Sequence, residues 1–133
     1  MKRLIRALLI LLLVLAVLVL GGMTAMQAQA RKSMTELNAV PVIPLSAVAD
    51  GVYEGVQETP LVKVTVSVTV QNHTIADIQL LRHENGRGAS AEALIVEMVR
   101  QDTSEVGVVS GATMSSKVIT AAVRNALAKG ISP

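Results

Sequence analysis

Between Val108 and Ile119 the chain reads VVSGATMSSKVI, a stretch holding four hydroxyl side chains, one Gly and one Ala directly ahead of a run with helical periodicity. A hydroxyl from Ser115 or Ser116 suits the cap of a helix that starts near Lys117, because it accepts a bond from an otherwise unpaired backbone N–H. Capping uses one hydroxyl and leaves Ser110, Gly111, Ala112 and Thr113 unaccounted for. Those four make a turn with little side-chain bulk, where a ligand can approach the backbone. Free N–H groups and the helix dipole there favour an anion such as a phosphate, and Lys117 adds a mobile positive charge. A phosphate seat and a plain capped turn both remain open on these residues, since no Walker-type spacing is present.

Other chemistry is sparse. The chain has no Cys, which removes disulfides, thiolate metal sites and a cysteine nucleophile. Its two His, His73 and His83, do not form a metal-ligand spacing with acidic residues. The Ser residues have no acid–base partner that defines a Ser-His-Asp arrangement. His83 precedes ENGRG at a strand end, and Gly86-Arg87-Gly88 is a flexible loop carrying a cation.

These groups have to be positioned by a core built almost without rings, because hydrophobic residues make up 51% of the chain and aromatic residues 1%, the single Tyr53. Val62, Val64, Val66, Val68 and Val70 alternate with polar residues, the period of a half-buried strand. After Asn72-His73, Ala76, Ile78 and Leu80 resume the alternation, so the pair reads as a hairpin with a tight turn, and DGVYEGV ahead of it reads as a neighbouring strand. The period then changes. Ala91, Leu94, Ile95, Met98 and Val99 form one apolar helical stripe, and Ile119, Ala122, Val123, Ala126 and Leu127 form a second that Gly130 terminates. Strands followed by helices predict an α+β domain, a small antiparallel sheet with two helices packed on one face, preceded by one N-terminal transmembrane helix.

That preceding segment, ALLILLLVLAVLVLGGMTAM from Ala7 to Met26, contains no charge. Twenty helical residues span about 30 Å, the thickness of a hydrocarbon core. It reads as a retained anchor, although Ala28-Gln29-Ala30 also fits the small-x-small pattern of a cleaved signal. Lys2, Arg3 and Arg6 against Arg31 and Lys32 modestly favour an inside N-terminus and an extracytoplasmic remainder. We therefore expect an anchor or signal over 1–30, a Pro41- and Pro44-containing linker over 31–49, and a domain over 50–133. Without the three leading cations, nine basic residues face ten acidic ones, so the domain has no nucleic-acid footprint.

The run from DGVYEGV through the valine hairpin to HENGRGASAEALIVEMVRQDTSEVGVVSGATMSSKVITAAVRNAL resembles the small FMN-binding domain family. Related domains occur in a flavinylated subunit of sodium-pumping NADH:quinone oxidoreductase and in the matching component of a related membrane electron-transport complex. The resemblance covers about Asp50 to Lys129, and its most specific part is SGATMSSK. It implies FMN as cofactor, carried on Thr113 through a phosphoester installed by a separate flavin transferase, with Ser110, Gly111, Ala112, Ser115 and Ser116 around the phosphate. Beside it stand the individual residues: Lys117 as a cation near the phosphate, His83 as a flavin contact or a surface histidine beside a loop, Arg87 as a phosphate or flavin contact or part of a simple turn into the helix near Ala89, and Tyr53 as a half-buried strand tyrosine or a stacking partner. The resemblance also implies membrane electron-transfer partners upstream and downstream. The family's motif usually has an acidic residue three positions before the Ser, where this chain has Gly107. A flavin-free anchored binding module with the same fold is the alternative that Gly107 motivates.

Overall fold

The computed structural model describes residues 1–84 and 88–131. Arg87, one of the expected site residues, lies outside them. Contacts divide the chain into two units, Met1–Thr35 and Glu36–Pro133. The first unit lies within a helix, α1, Lys2–Ala39, which is long and apolar enough to cross a membrane. Helix α1 continues through the first nine residues of the expected linker. The following residues are not free of the domain either: Leu37, Ile43 and Val48 are buried in its core, and Val48 bridges to Ile131.

The second unit is α+β. Strands β1 (Gly51–Glu58), β2 (Lys63–Gln71) and β3 (Thr74–Glu84) form an antiparallel sheet in that order. A 3-10 turn, Ala89–Glu92, leads into α2 (Ala93–Gln101), and a loop leads on to α3 (Thr113–Lys129). Val62, Val64, Val66, Val68 and Val70 are all buried, so the period-two pattern defines the core face. The hairpin turns at Asn72 and His73, both with positive φ (52° and 59°), the geometry that matches the twist of the flanking strands. Helix α2 packs on β3, and α3 packs on β1 and β2.

Strand β3 departs from simple alternation. Val70 pairs with Ile75, Val68 with Ile78, Val66 with Leu80 and Val64 with His83, so Ala76 and Leu81 are extra residues in two bulges. Ala76 is consequently exposed, and Ile75, Ile78 and Leu80 face the core instead of the expected Ala76, Ile78 and Leu80. The second bulge also turns the His83 imidazole inward, to 2% side-chain exposure. Asp102, left-handed at the end of α2, accepts the Ile75 N–H at 2.7 Å beside the first bulge.

Helix α3 lies close to β1 because small residues meet there. A Cβ on Gly55 would stand 1.9 Å from the Ala122 carbonyl oxygen and 2.8 Å from the Ala126 Cβ. Asn125 Nδ2 donates to the Val56 carbonyl and to Gln57 Oε1, both at 3.0 Å, fixing the helix along the strand. Gly130 does end α3, but at φ −88° and not in the left-handed region. Its constraint is space, since a Cβ would meet the Tyr53 ring and Val48 at 2.6 Å.

Candidate functional site

Helix α3 begins at Thr113, four residues earlier than the sequence predicts, with Ala112 at the N-cap and no side-chain cap. Ser115 and Ser116 therefore lie inside the first turn. The reason is local: the fully buried Ser116 hydroxyl donates to the Ala112 carbonyl at 2.8 Å and accepts the Val109 N–H at 3.0 Å. One side chain thus ties the incoming loop to the helix start. Gly111 turns the chain between them at φ +80°, a conformation that L side chains adopt only with strain.

This arrangement leaves the mouth of α3 open. Ser116 N–H makes the first intrahelical bond, to Ala112, and the Ala112 N–H bonds to Val109. The N–H groups of Thr113, Met114 and Ser115 have no hydrogen-bond partner among the described residues. The Ser115 hydroxyl is in the same condition, although Ser115 is only 3% exposed. No acidic residue occupies the first turn, so nothing there offsets the positive end of the helix dipole. Thr113 itself is exposed.

A cleft of about 290 Å³ lies at this mouth, lined by Gly111, Ala112, Thr113, Met114 and Ser115 on one side and by Leu61, Val62 and Gly88 on the other. Thr59 shapes the facing wall: its hydroxyl accepts the Val62 N–H at 3.0 Å and its own N–H donates to the Val62 carbonyl at 2.8 Å. Polar donors thus gather at the helix end, while Leu61, Val62 and Met114 supply an apolar surface. That is the composition of a site for an amphipathic ligand with an anionic end.

The match to the FMN-binding domain family model runs from residue 62 to residue 128, half of the chain, and includes the whole helix mouth. The chain belongs to the FMN-binding domain family. No curated protein matches it significantly. The residues present fit the group this FMN-binding domain implies: unbonded N–H groups and the unpartnered hydroxyl of Ser115 suit a phosphoryl group, and the apolar wall suits a flavin ring.

Within this FMN-binding domain the expected site residues separate into two sets. Gly111, Ala112, Thr113 and Ser115 line the cleft, Ser110 is exposed one position before it, and Ser116 supports it from beneath with both hydroxyl functions engaged. Lys117 and His83 are not among the cleft residues. Lys117 Nζ donates to Asn38 Oδ1 at 2.8 Å and lines a different cavity. His83 Nδ1–H donates to Glu92 Oε1 at 2.8 Å. Tyr53 donates to the Ala49 carbonyl at 2.9 Å beside Gly130, the far end of a helix about 25 Å long. Sequence reasoning missed Leu61, Val62, Gly88 and Met114 as cleft residues. The available signal was Leu61, a large apolar side chain in a Pro-containing turn that the strand pattern does not bury.

Proposed function

We propose that this FMN-binding domain carries its flavin through a phosphoester to Thr113 and relays electrons at the outer face of a membrane to which α1 anchors it. The observation that supports the reading is the exposed Thr113 hydroxyl at a helix mouth whose N–H groups and Ser115 hydroxyl are unbonded among the described residues. FMN supplies the redox chemistry when bound. The protein's residues supply the rest. The N–H groups of Met114 and Ser115 and the Ser115 hydroxyl neutralise phosphoryl oxygens, the positive end of α3 adds to that field, and Leu61, Val62 and Met114 exclude water from one side of the ring.

Attachment needs a flavin transferase. The bond from Thr113 Oγ to phosphorus forms as the phosphoanhydride bond of a flavin dinucleotide donor breaks, its nucleoside monophosphate half leaves, and the hydroxyl proton passes to a base of the transferase. Ser116 contributes by holding Thr113 at the first helical position. Electron donor and acceptor are membrane partners of the anchored domain, and Lys2, Arg3 and Arg6 against Arg31 and Lys32 favour an inside N-terminus.

Coexpression of the full chain with a flavin transferase tests the reading. After denaturation the expected result is retained flavin fluorescence and an FMN-sized mass increase, both abolished in Thr113→Ala. Unmodified protein that also fails to bind added FMN would favour the flavin-free module that Gly107 suggests. Unmodified protein that binds FMN reversibly would refute the covalent bond alone.

A further inference from the structure

The side chain that the cleft does not use leads to a second site. Lys117, Thr120 and Arg124 stand at i, i+3 and i+7 on one face of α3, and they line a cavity of about 160 Å³ together with Asn38, Val106 and Val108. Two cations share this small space, and among the described residues no carboxylate lines it. Their protein partners are neutral: Lys117 Nζ donates to the Asn38 amide oxygen at 2.8 Å, and Arg124 Nη1 donates to the Val40 carbonyl at 3.1 Å. Arg124 Nε is buried with no hydrogen-bond partner among the described residues. A buried donor left unpaired is costly, and two unopposed cations in one cavity repel, so the site is short of a negatively charged acceptor.

We propose that this cavity is a second oxyanion seat, distinct from the flavin cleft, that takes a phosphate or phosphomonoester group. A tetrahedral dianion matches what the walls offer. The Arg124 guanidinium, the Lys117 ammonium and the Thr120 hydroxyl are the side-chain donors carried by the lining residues of α3, and charge-assisted bonds of this kind are about twice as strong as neutral ones. The ligand joins α3 to the segment that carries Asn38 and Val40, so its binding stabilises the helix that begins at Thr113. The same chemistry is offered by free phosphate and by the phosphomonoester headgroup of phosphatidate. The inference is independent of flavin attachment.

The test uses the full chain in neutral detergent micelles without flavin. Inorganic phosphate is titrated at ionic strength held constant with sodium chloride, with binding read by calorimetry and by a saturable rise in Tm. Lys117→Met and Arg124→Met each weaken apparent affinity at least about tenfold, also in a Ser115→Ala background that removes a donor of the flavin cleft, and Lys117→Arg retains it. Should Arg124→Met fail to fold, Lys117→Met with Lys117→Arg decides the matter. A response to phosphatidate in mixed micelles but not to free phosphate, with the same dependence on Lys117, supports the seat and identifies the source as lipid. Binding that is lost in Ser115→Ala but kept in Lys117→Met places the anion at the flavin cleft and overturns the proposal, as does no response to either probe.

Discussion

Adjacent serines in the first turn of α3 should behave in opposite ways. Ser116 holds two hydrogen bonds, to Ala112 at 2.8 Å and from Val109 at 3.0 Å, and it is fully buried. Ser116→Ala removes both, each worth about 1 kcal/mol net, and leaves the half-buried Val109 N–H without a partner, so the loss is about 2–3 kcal/mol. For a domain of this size each kcal/mol moves Tm by roughly 4–8 °C, so the fall is at least about 8 °C. The Ser115 hydroxyl bonds to nothing among the described residues, so Ser115→Ala is expected to change stability by less than about 0.5 kcal/mol. Its effect belongs to the ligand instead. Loss of one hydrogen bond to a phosphoryl oxygen, about 1.5 kcal/mol, weakens reversible FMN binding roughly tenfold. Thermal and urea melts followed by circular dichroism read the first quantity, and FMN fluorescence titration of unmodified protein reads the second. A Ser115→Ala variant that melts as early as Ser116→Ala while binding FMN normally would refute this division of labour.

Three further outcomes follow from particular contacts. Gly55→Ala drives a methyl group into the backbone of α3, at 1.9 Å from the Ala122 oxygen, and backbone cannot rotate away; a loss of about 3 kcal/mol or more is expected in urea melts. A Cβ at Gly107 would meet nothing within 4 Å, and the backbone there is not left-handed, so Gly107→Asp should leave Tm within about 2 °C and raise the covalent flavin yield under transferase coexpression, read by intact mass. Glu97 is lowered from 4.5 to about 2, first by the hydrogen bond from Arg100 and then by that from Gln101. A carboxyl depressed in the folded state stabilises above its unfolded value and loses that contribution as pH falls through about 2. Melting curves of wild type and Glu97→Gln should therefore differ most near neutrality and converge at about pH 2, with a small separation throughout because the pair is exposed.

Much of this fold was legible because one physical signal dominated each element. Five alternating valines can face one core only as a strand, and the stripe from Ile119 to Leu127 can face it only as a helix. The bulges at Ala76 and Leu81 were not legible, since an extra residue leaves no mark in composition; it shows only when β3 must keep Ile75 and His83 on the same face as Val70 and Val64. The early start of α3 was hidden for a related reason. Ser116 bonds backwards to Ala112 from within the helix, whereas hydroxyl preference alone assigns it to the cap. Gly111, Ala112, Thr113 and Ser115 could be grouped because they are contiguous. Leu61 and Gly88 reach the cleft through tertiary packing, and Lys117 leaves it because Asn38, seventy-nine positions away in sequence, accepts its hydrogen bond.

The central claim is that the mouth of α3 holds the phosphoryl end of FMN. It is tested most directly by titrating FMN into the ¹⁵N-labelled full chain in micelles and following the backbone amide resonances. The account predicts that the largest shifts fall on Gly111, Thr113, Met114 and Ser115, with smaller ones on Leu61 and Val62. Shifts confined to the outer sheet face or to the cavity lined by Lys117 and Arg124, with the amides of Gly111 to Ser115 unmoved, would contradict it.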